Sequence, residues 1–458
     1  MYQRRDRPRG QMLMLPGSHE ERRYIHLFCT HTSHVLPGNF HSKLWTCLLP
    51  QLALHEPTIQ HAIAAVGAAH RNYLNTEEQP AMNPFVLEQY NRSIRCLIEH
   101  KDLSPNSQVS CVGQGDLALI ACALFVTLEM LQEDHQRALN HIEAGLVILK
   151  HRGVVPRRIS AESRDIDREL SDLFARLHVE LPMFGRVPKY RALPPEKIPL
   201  PTTFTDLAHA RRVLIDILNQ VTVVVQESGS WVRPLYYGKA TDDPMWAARV
   251  PPAFLALQRG FDAWHSTFDR FLMTKEGQAS DKKAALTIRI DYYVSLTWTL
   301  AFTKRRETDF DQWVGHFTLI VSLARELLSL DPRSSSDGRT LPFSLEHGVV
   351  RALQWTATRC RDPIVRRQAI TLLSAHPRKE GFWDWRRSIR ISEFVLAWEE
   401  SQLGSLSVEQ RVPPDHCRIY SMAFTDDMIA KTTCMHCINR PSGLQELPHH
   451  WAQVLSWS

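Results

Sequence analysis

Residues 343–373 read Phe343-Ser-Leu-Glu-His-Gly-Val-Val-Arg-Ala-Leu-Gln-Trp-Thr-Ala-Thr-Arg-Cys-Arg-Asp-Pro-Ile-Val-Arg-Arg-Gln-Ala-Ile-Thr-Leu-Leu373, and Arg378-Lys-Glu-Gly-Phe-Trp-Asp384 closes the stretch. The pattern is a helix, a tight break at Arg361-Asp-Pro363, a second helix and a turn at Gly381. Pro363 suits the first position of the second helix, where its missing N–H costs no hydrogen bond. Ile364, Ala369, Ile370 and Leu373 form the predicted buried side. Arg359, Arg361, Arg366 and Arg367 crowd the break. Salt bridges and carbonyl capping at helix ends are the expected use of these arginines. The alternative is a surface for an acidic partner.

Helical periodicity continues outward in both directions. Toward the N-terminus, His55-Glu-Pro-Thr-Ile-Gln-His-Ala-Ile-Ala-Ala-Val-Gly-Ala-Ala-His70 places Ile59, Ile63, Val66 and His70 on one stripe. The small residues Ala64, Ala65, Gly67, Ala68 and Ala69 permit a close helix neighbour. Leu117 to Leu131 is the longest apolar run, with thirteen of fifteen residues apolar and Glu129 near its end. A membrane span needs about 20 residues, so this run predicts a buried core helix. Further helices are predicted at 20–31, 45–52, 85–98, 138–150, 166–177, 206–226, 251–273, 283–303, 311–329, 363–375 and 385–402. Val221 to Val225 reads as a β-branched run or as the end of a helix.

The expected fold is therefore all-α: an irregular array of many helices forming one large domain over 20–402. Residues 1–19 are expected to be a disordered basic tail, and 403–458 an irregular C-terminal tail. The Pro-rich loop Pro182–Pro201 reads as a connection within one architecture. Residues 330–340 read as a loop. No fixed-period repeat occurs, which argues against a helical-repeat adaptor.

Composition narrows the function classes. The chain has 458 residues, 44% hydrophobic and 22% charged, with a net charge of +5. This balance is too weak to indicate nucleic-acid binding by charge alone. The nine Cys are scattered through apolar context, which predicts reduced intracellular thiols. No signal peptide or membrane span is predicted.

Motifs for chemistry are sparse. Phosphate loops, the GxSxG elbow and HExxH are absent from the sequence. His26, Cys29, His31 and His34 lie within nine residues but have no second half-site for zinc. Cys434-Met-His-Cys437 is a single CxxC, a weak redox or zinc signal. Asp242-Asp243 and Asp426-Asp427 lack the further acid of a magnesium-binding helix. The Trp-bearing segments (Trp45, Trp264, Trp298, Trp313, Trp355, Trp383, Trp385, Trp398) are expected to be core rather than a ligand cavity. No catalytic residue, no metal ligand and no cofactor is therefore predicted.

The pattern CRDP-x-x-RR-x-A-I-x-LL followed by RKEG-x-W-D resembles the regulatory region of fungal binuclear zinc-cluster transcription factors. Other segments agree in order: Leu48-Leu-Pro-Gln51 with Glu56-Pro57 and His61 to His70, then Tyr90-Asn91 with Ile94-Arg95. Leu117 to Met130, Ala138, His141, Gly145-Leu146, Leu173-Phe174-Ala-Arg176-Leu177 and Gly185 follow. The resemblance runs from about Glu20 to Glu400. It implies a nuclear transcription-regulatory protein, often one that controls a metabolite gene cluster. It also implies a partner that is another regulator or a second copy, and a possible small-molecule effector.

One departure stands out. The family's DNA-binding module carries six Cys as CxxC-x6-C twice, holding two zinc ions. Residues 1–28 contain no Cys, and Cys29 and Cys47 lack partners at that spacing. The expectation is a regulator that reaches DNA through a partner, or through an N-terminal zinc cluster missing from this sequence. The alternative is an all-α enzyme or pathway scaffold built on the same fold.

Overall fold

The computed structural model describes residues 17–75, 83–102, 114–152, 161–184, 186, 200–227, 244–278, 281–302, 306–331, 341–428, 430–439 and 449–457. Most of the basic tail, most of the Pro-rich loop, Asp242-Asp243, Gly185, Cys111 and residues 332–340 lie outside them.

Helices dominate, in the order the apolar periodicity predicts. The first layer joins His19–Leu27, Pro57–Leu74, Pro84–Asp102, Gln114–Leu131, His135–Arg152 and Ala161–Glu180 around one apolar core. Ser18 starts the first of these with a capping box: its hydroxyl accepts from the Glu21 amide while the Glu21 carboxylate accepts from Ser18. Gln114–Leu131 is the centre of this layer. From Leu117 to Leu131 every residue except Ala118 is buried.

Two glycines set helix spacing. A Cβ at Gly67 would lie 2.3 Å from the Tyr24 carbonyl oxygen, so Pro57–Leu74 meets His19–Leu27 closely only because that side chain is absent. A Cβ at Gly145 would lie 2.1 Å from the Phe174 ring. The small-residue stripe thus does what its composition predicted.

Two further cores flank Lys282–Ala301. Leu286, Ile290 and Val294 pack with Val314–Ser329, Val350–Arg359 and Pro363–Ala375. Ile288, Tyr292 and Leu296 pack with Leu207–Glu227 and Pro244–Leu272. A helix covered on both sides loses the polar face of an ordinary surface helix. Val221 to Val225 is buried helix, not strand. Val221, Val224 and Val225 pack in the second of these cores.

All-α holds only approximately: the described residues include two small three-stranded sheets. In the first, β1 (Phe343–Ser344) runs parallel to β2 (Lys379–Glu380), and β2 pairs antiparallel with β3 (Trp383–Asp384). Gly381 makes the turn with φ 54°, as the sequence suggested. The second is an antiparallel meander of β4 (Ile419–Asp427), β5 (Thr432–Asn439) and β6 (His449–Ser456). It lies within the segment expected to be an irregular tail. That expectation is corrected: Thr433, Met435 and Cys437 are buried while their neighbours face outward, the two-residue period of a half-buried strand. Met435, Cys437 and Ile419 pack on Ile391 and Val395 of the helix Trp385–Glu400.

Candidate functional site

The arginine cluster at the Arg361-Asp-Pro363 break is buried. Asp362 caps the second helix, accepting from the Ile364 and Val365 amides. This fixes the chain so that Arg361 turns inward, where its side chain is 0% exposed. Its guanidinium spans two acids: Nη1 lies 2.9 Å from Glu307 Oε2, and Nη2 lies 2.7 Å from Glu399 Oε1. Arg366 reaches the other Glu399 oxygen at 3.0 Å, and Arg359 reaches Glu307 at 3.2 Å. Arg367 pairs with Glu400 at 2.6 Å. Burial opposes the Arg361 charge, yet Glu399 and Glu307 outweigh it and raise its pKa. Burial likewise opposes the Glu399 carboxylate, and Arg361 with Arg366 holds its pKa down.

The network also holds the meander. Glu399 accepts from the Ile419 amide at 2.9 Å. Arg359 and Arg361 donate to the Ile419 carbonyl, each at 3.3 Å. Arg418 makes a bidentate pair with Asp311 at 2.7 and 2.8 Å. The expected use, ion pairing and carbonyl capping, is what the side chains do. A partner surface at Arg361 and Arg366 is excluded by their burial. The sequence reading did not find the acids, Glu307, Asp311, Glu399 and Glu400. They lie far off in the chain, 38 residues for Arg361 with Glu399, so no local spacing revealed them.

A second polar seam joins the first layer to the rest. Glu346 accepts from Arg176 at 2.7 Å and Arg211 at 2.5 Å. Burial would raise its pKa, but these two cations hold it at about 2. Glu180 contacts His347 Nε2 at 3.0 Å and accepts from Trp383 Nε1 at 3.2 Å. Burial is again overcome, by His347 and Arg351, and Glu180 also sits at about 2. Arg351 continues to Asp291 at 2.9 Å. A crevice between Arg176, Glu180, Glu346 and His347 has room for about one water molecule. That is far below the roughly 300 Å³ at which metabolite pockets begin.

The remaining motif residues disperse. Among the described residues, no three His, Cys, Asp or Glu side chains form a group able to hold a metal ion. His26, His31 and His34 are all exposed, and His31 stacks on His70 at 5.4 Å. Cys434 and Cys437 sit three apart on β5, so the strand period puts them on opposite faces. Burial pushes the Cys437 thiol up to about 12. Asp426 serves structure: its Oδ1 accepts from Thr433 Oγ1 at 2.8 Å and Arg387 Nε at 2.9 Å. Trp45 and Trp264 are fully buried, and Trp264 stacks on Phe268 and Tyr292 at 4.8 and 5.4 Å. Trp398 differs, being 37% exposed and stacked on Trp451 at 4.2 Å. Among the described residues, no helix is long and apolar enough to cross a membrane.

This arrangement is a set of buried ion pairs that lock helix layers together. The chain is similar to the aspercryptin biosynthesis cluster-specific transcription regulator atnN of Emericella nidulans. The two are 24% identical over 455 residues, covering 79% of this chain and 72% of the relative. No family model matches the chain. No solved structure matches it.

That relative is a regulator and not an enzyme. The expectation that this chain is not an enzyme agrees with it. The match also agrees with the broader expectation of a fungal transcription regulator linked to a biosynthetic gene cluster. It is silent on zinc.

Proposed function

We propose that the chain is a nuclear transcription regulator of a fungal metabolite biosynthesis gene cluster, acting through its helical region. The observation that carries this reading is the similarity to a cluster-specific regulator across 79% of the chain. The ordered motifs from Leu48 to Asp384 support it, because their residues build the helix stripes and buried ion pairs that define the architecture.

The sequence holds no pair of CxxC-x6-C clusters, and its +5 charge is modest. Contact with DNA therefore runs through a DNA-binding partner, another regulator or a homodimer bound to one, or through a zinc-cluster module not contained in these 458 residues. A small-molecule effector would need a site other than the one-water crevice beside Glu346.

A gel shift with the purified 458-residue chain tests the DNA part of this reading. It predicts no sequence-selective binding at nanomolar protein. Selective nanomolar binding by this chain alone would overturn it. A fluorescent fusion is expected in the nucleus; exclusion from the nucleus would instead favour a pathway enzyme or scaffold.

A further inference from the structure

The non-glycine residues with left-handed backbone among those described are Glu133 (φ 64°) and Lys431 (φ 50°). A side-chain-bearing residue adopts this conformation at a cost, and does so where its surroundings over-determine it. Glu133 lies in the turn between Gln114–Leu131 and His135–Arg152, and Lys431 in the turn between β4 and β5. They are 298 residues apart, and their side chains form an ion pair with each other. Both turns are thus set so that these two charges meet.

The same corner holds more polar contacts. The other Glu133 oxygen lies 3.4 Å from Nζ of Lys379, which is only 1% exposed. The Lys431 ammonium sits over the Trp457 ring, 5.0 Å from its centroid. Trp457 donates its amide to the Lys431 carbonyl at 3.0 Å and its indole N–H to Thr433 Oγ1 at 3.0 Å. Asp426 Oδ2 lies 3.8 Å from His135 Nδ1.

The meander is held unevenly. Its proximal end, around Ile419, is bound by the fully buried Arg361–Glu399 network. Its middle rests on a small apolar patch. β6 is largely exposed, with Val454 58% open to solvent. Its distal corner is held by polar and charged contacts, both to the Glu133 turn and from Arg387 of Trp385–Glu400, which donates to Asp426 at 2.9 Å and to Thr433 at 3.2 Å. Local opening starts where buried apolar contact is least.

We propose that the C-terminal meander is a strap, hinged near Ile419 and latched at its far corner by Glu133 on Lys431, that opens while the helical layers stay folded. The two left-handed residues favour release, while the Glu133–Lys431 pair and the Arg387–Asp426 pair favour closure. Opening uncovers Ile391 and Val395, the apolar face of Trp385–Glu400 beneath it. The inference is independent of the transcriptional reading and goes beyond it.

Hydrogen exchange followed by mass spectrometry on the full chain tests it. Peptides covering 419–439 and 449–457 are compared with those covering the first helical layer. Glu133→Gln is expected to raise meander exchange about tenfold and to leave Gln114–Leu131 within twofold of the parent. Lys431→Met, which spares the Glu133–Lys379 contact, is expected to reproduce that pattern. A uniform rise across both regions, or an unchanged meander, would overturn the latch. An effect of Glu133→Gln without one of Lys431→Met would also overturn it, by tracing the effect to Lys379. If Glu133→Gln does not fold, Lys431→Met alone decides, because its side chain is 29% exposed and its loss leaves Glu133 paired.

Discussion

Arg361 and Glu399 face each other at 2.7 Å with both side chains fully removed from solvent. One starts the break before the helix Pro363–Ala375; the other ends the helix Trp385–Glu400. Their contact sets the angle between those helices, and Glu399 also receives the first amide of β4. Two buried charges are costly to desolvate, and pairing offsets that cost only if the hydrogen bonds are complete.

Removing one partner should therefore be severe. Arg361→Ala is expected to cost about 3–5 kcal/mol, because Glu307 and Glu399 remain buried with less compensation. Arg361→Lys should rescue little, since an ammonium cannot span both acids as the guanidinium fork does. Lys282→Ala, which loses the exposed 2.8 Å pair with Glu326, should change stability by less than about 1 kcal/mol. Urea denaturation of the three variants checks the contrast. Equal effects at Arg361 and Lys282 would refute a structural role for burial.

Glu129 carries a pH prediction of opposite sign to the paired acids. It is fully buried near the end of the core helix, and neither carboxyl oxygen has a hydrogen bond of ordinary geometry. Burial pushes its pKa from 4.5 up to about 7, against an opposing pull from the Tyr90 hydroxyl. That hydroxyl also contacts His141 Nε2 at 2.8 Å. Between pH 4.5 and about 7 the folded chain keeps a proton that the unfolded chain releases. The stability Glu129 contributes is therefore complete below 4.5 and lost as pH rises through about 7. Relative to the parent, Glu129→Gln should gain about 2–3 kcal/mol between pH 5 and pH 8. Chemical denaturation at the two pH values measures it, and a pH-independent difference would contradict the assignment. Glu180, Glu346 and Asp426, each held at about 2, lose their contribution as pH falls from the ordinary carboxylate range toward 2.

Gly67 tests the close helix approach. Alanine is normally better than glycine within a helix by about 1 kcal/mol. Here the added Cβ would meet the Tyr24 carbonyl oxygen at 2.3 Å. Gly67→Ala is expected to lower the melting temperature, at a net cost of roughly 1–3 kcal/mol from overpacking. Gly315→Ala, where a Cβ meets nothing within 4 Å, should be neutral or stabilising. A stabilising Gly67→Ala would mean the helices are not so close.

Much of this architecture was legible in the sequence because helical periodicity is local. The stripe from Ile59 to His70, the run from Leu117 and the Pro363 start all became the expected helices. The break at Arg361-Asp-Pro363 and the turn at Gly381 were visible for the same reason. The meander was not read from the sequence: the Pro-rich punctuation around it suggested an irregular tail, and the alternating burial of Thr433, Met435 and Cys437 emerges only in the fold. The acidic half of the Arg361 network was not legible. Glu307 and Glu399 have no local pattern that marks them, and only the packing of distant helices brings them to one arginine. The Glu133–Lys431 pair, 298 residues apart, was invisible for the same reason.

The most direct test of the regulatory account is transcript profiling of the source organism with and without this gene. The account predicts that a contiguous set of biosynthetic genes changes several-fold in expression while most of the genome does not. Metabolite levels that change with every neighbouring transcript unaltered would contradict it, and would point to a protein acting in the pathway rather than on its genes.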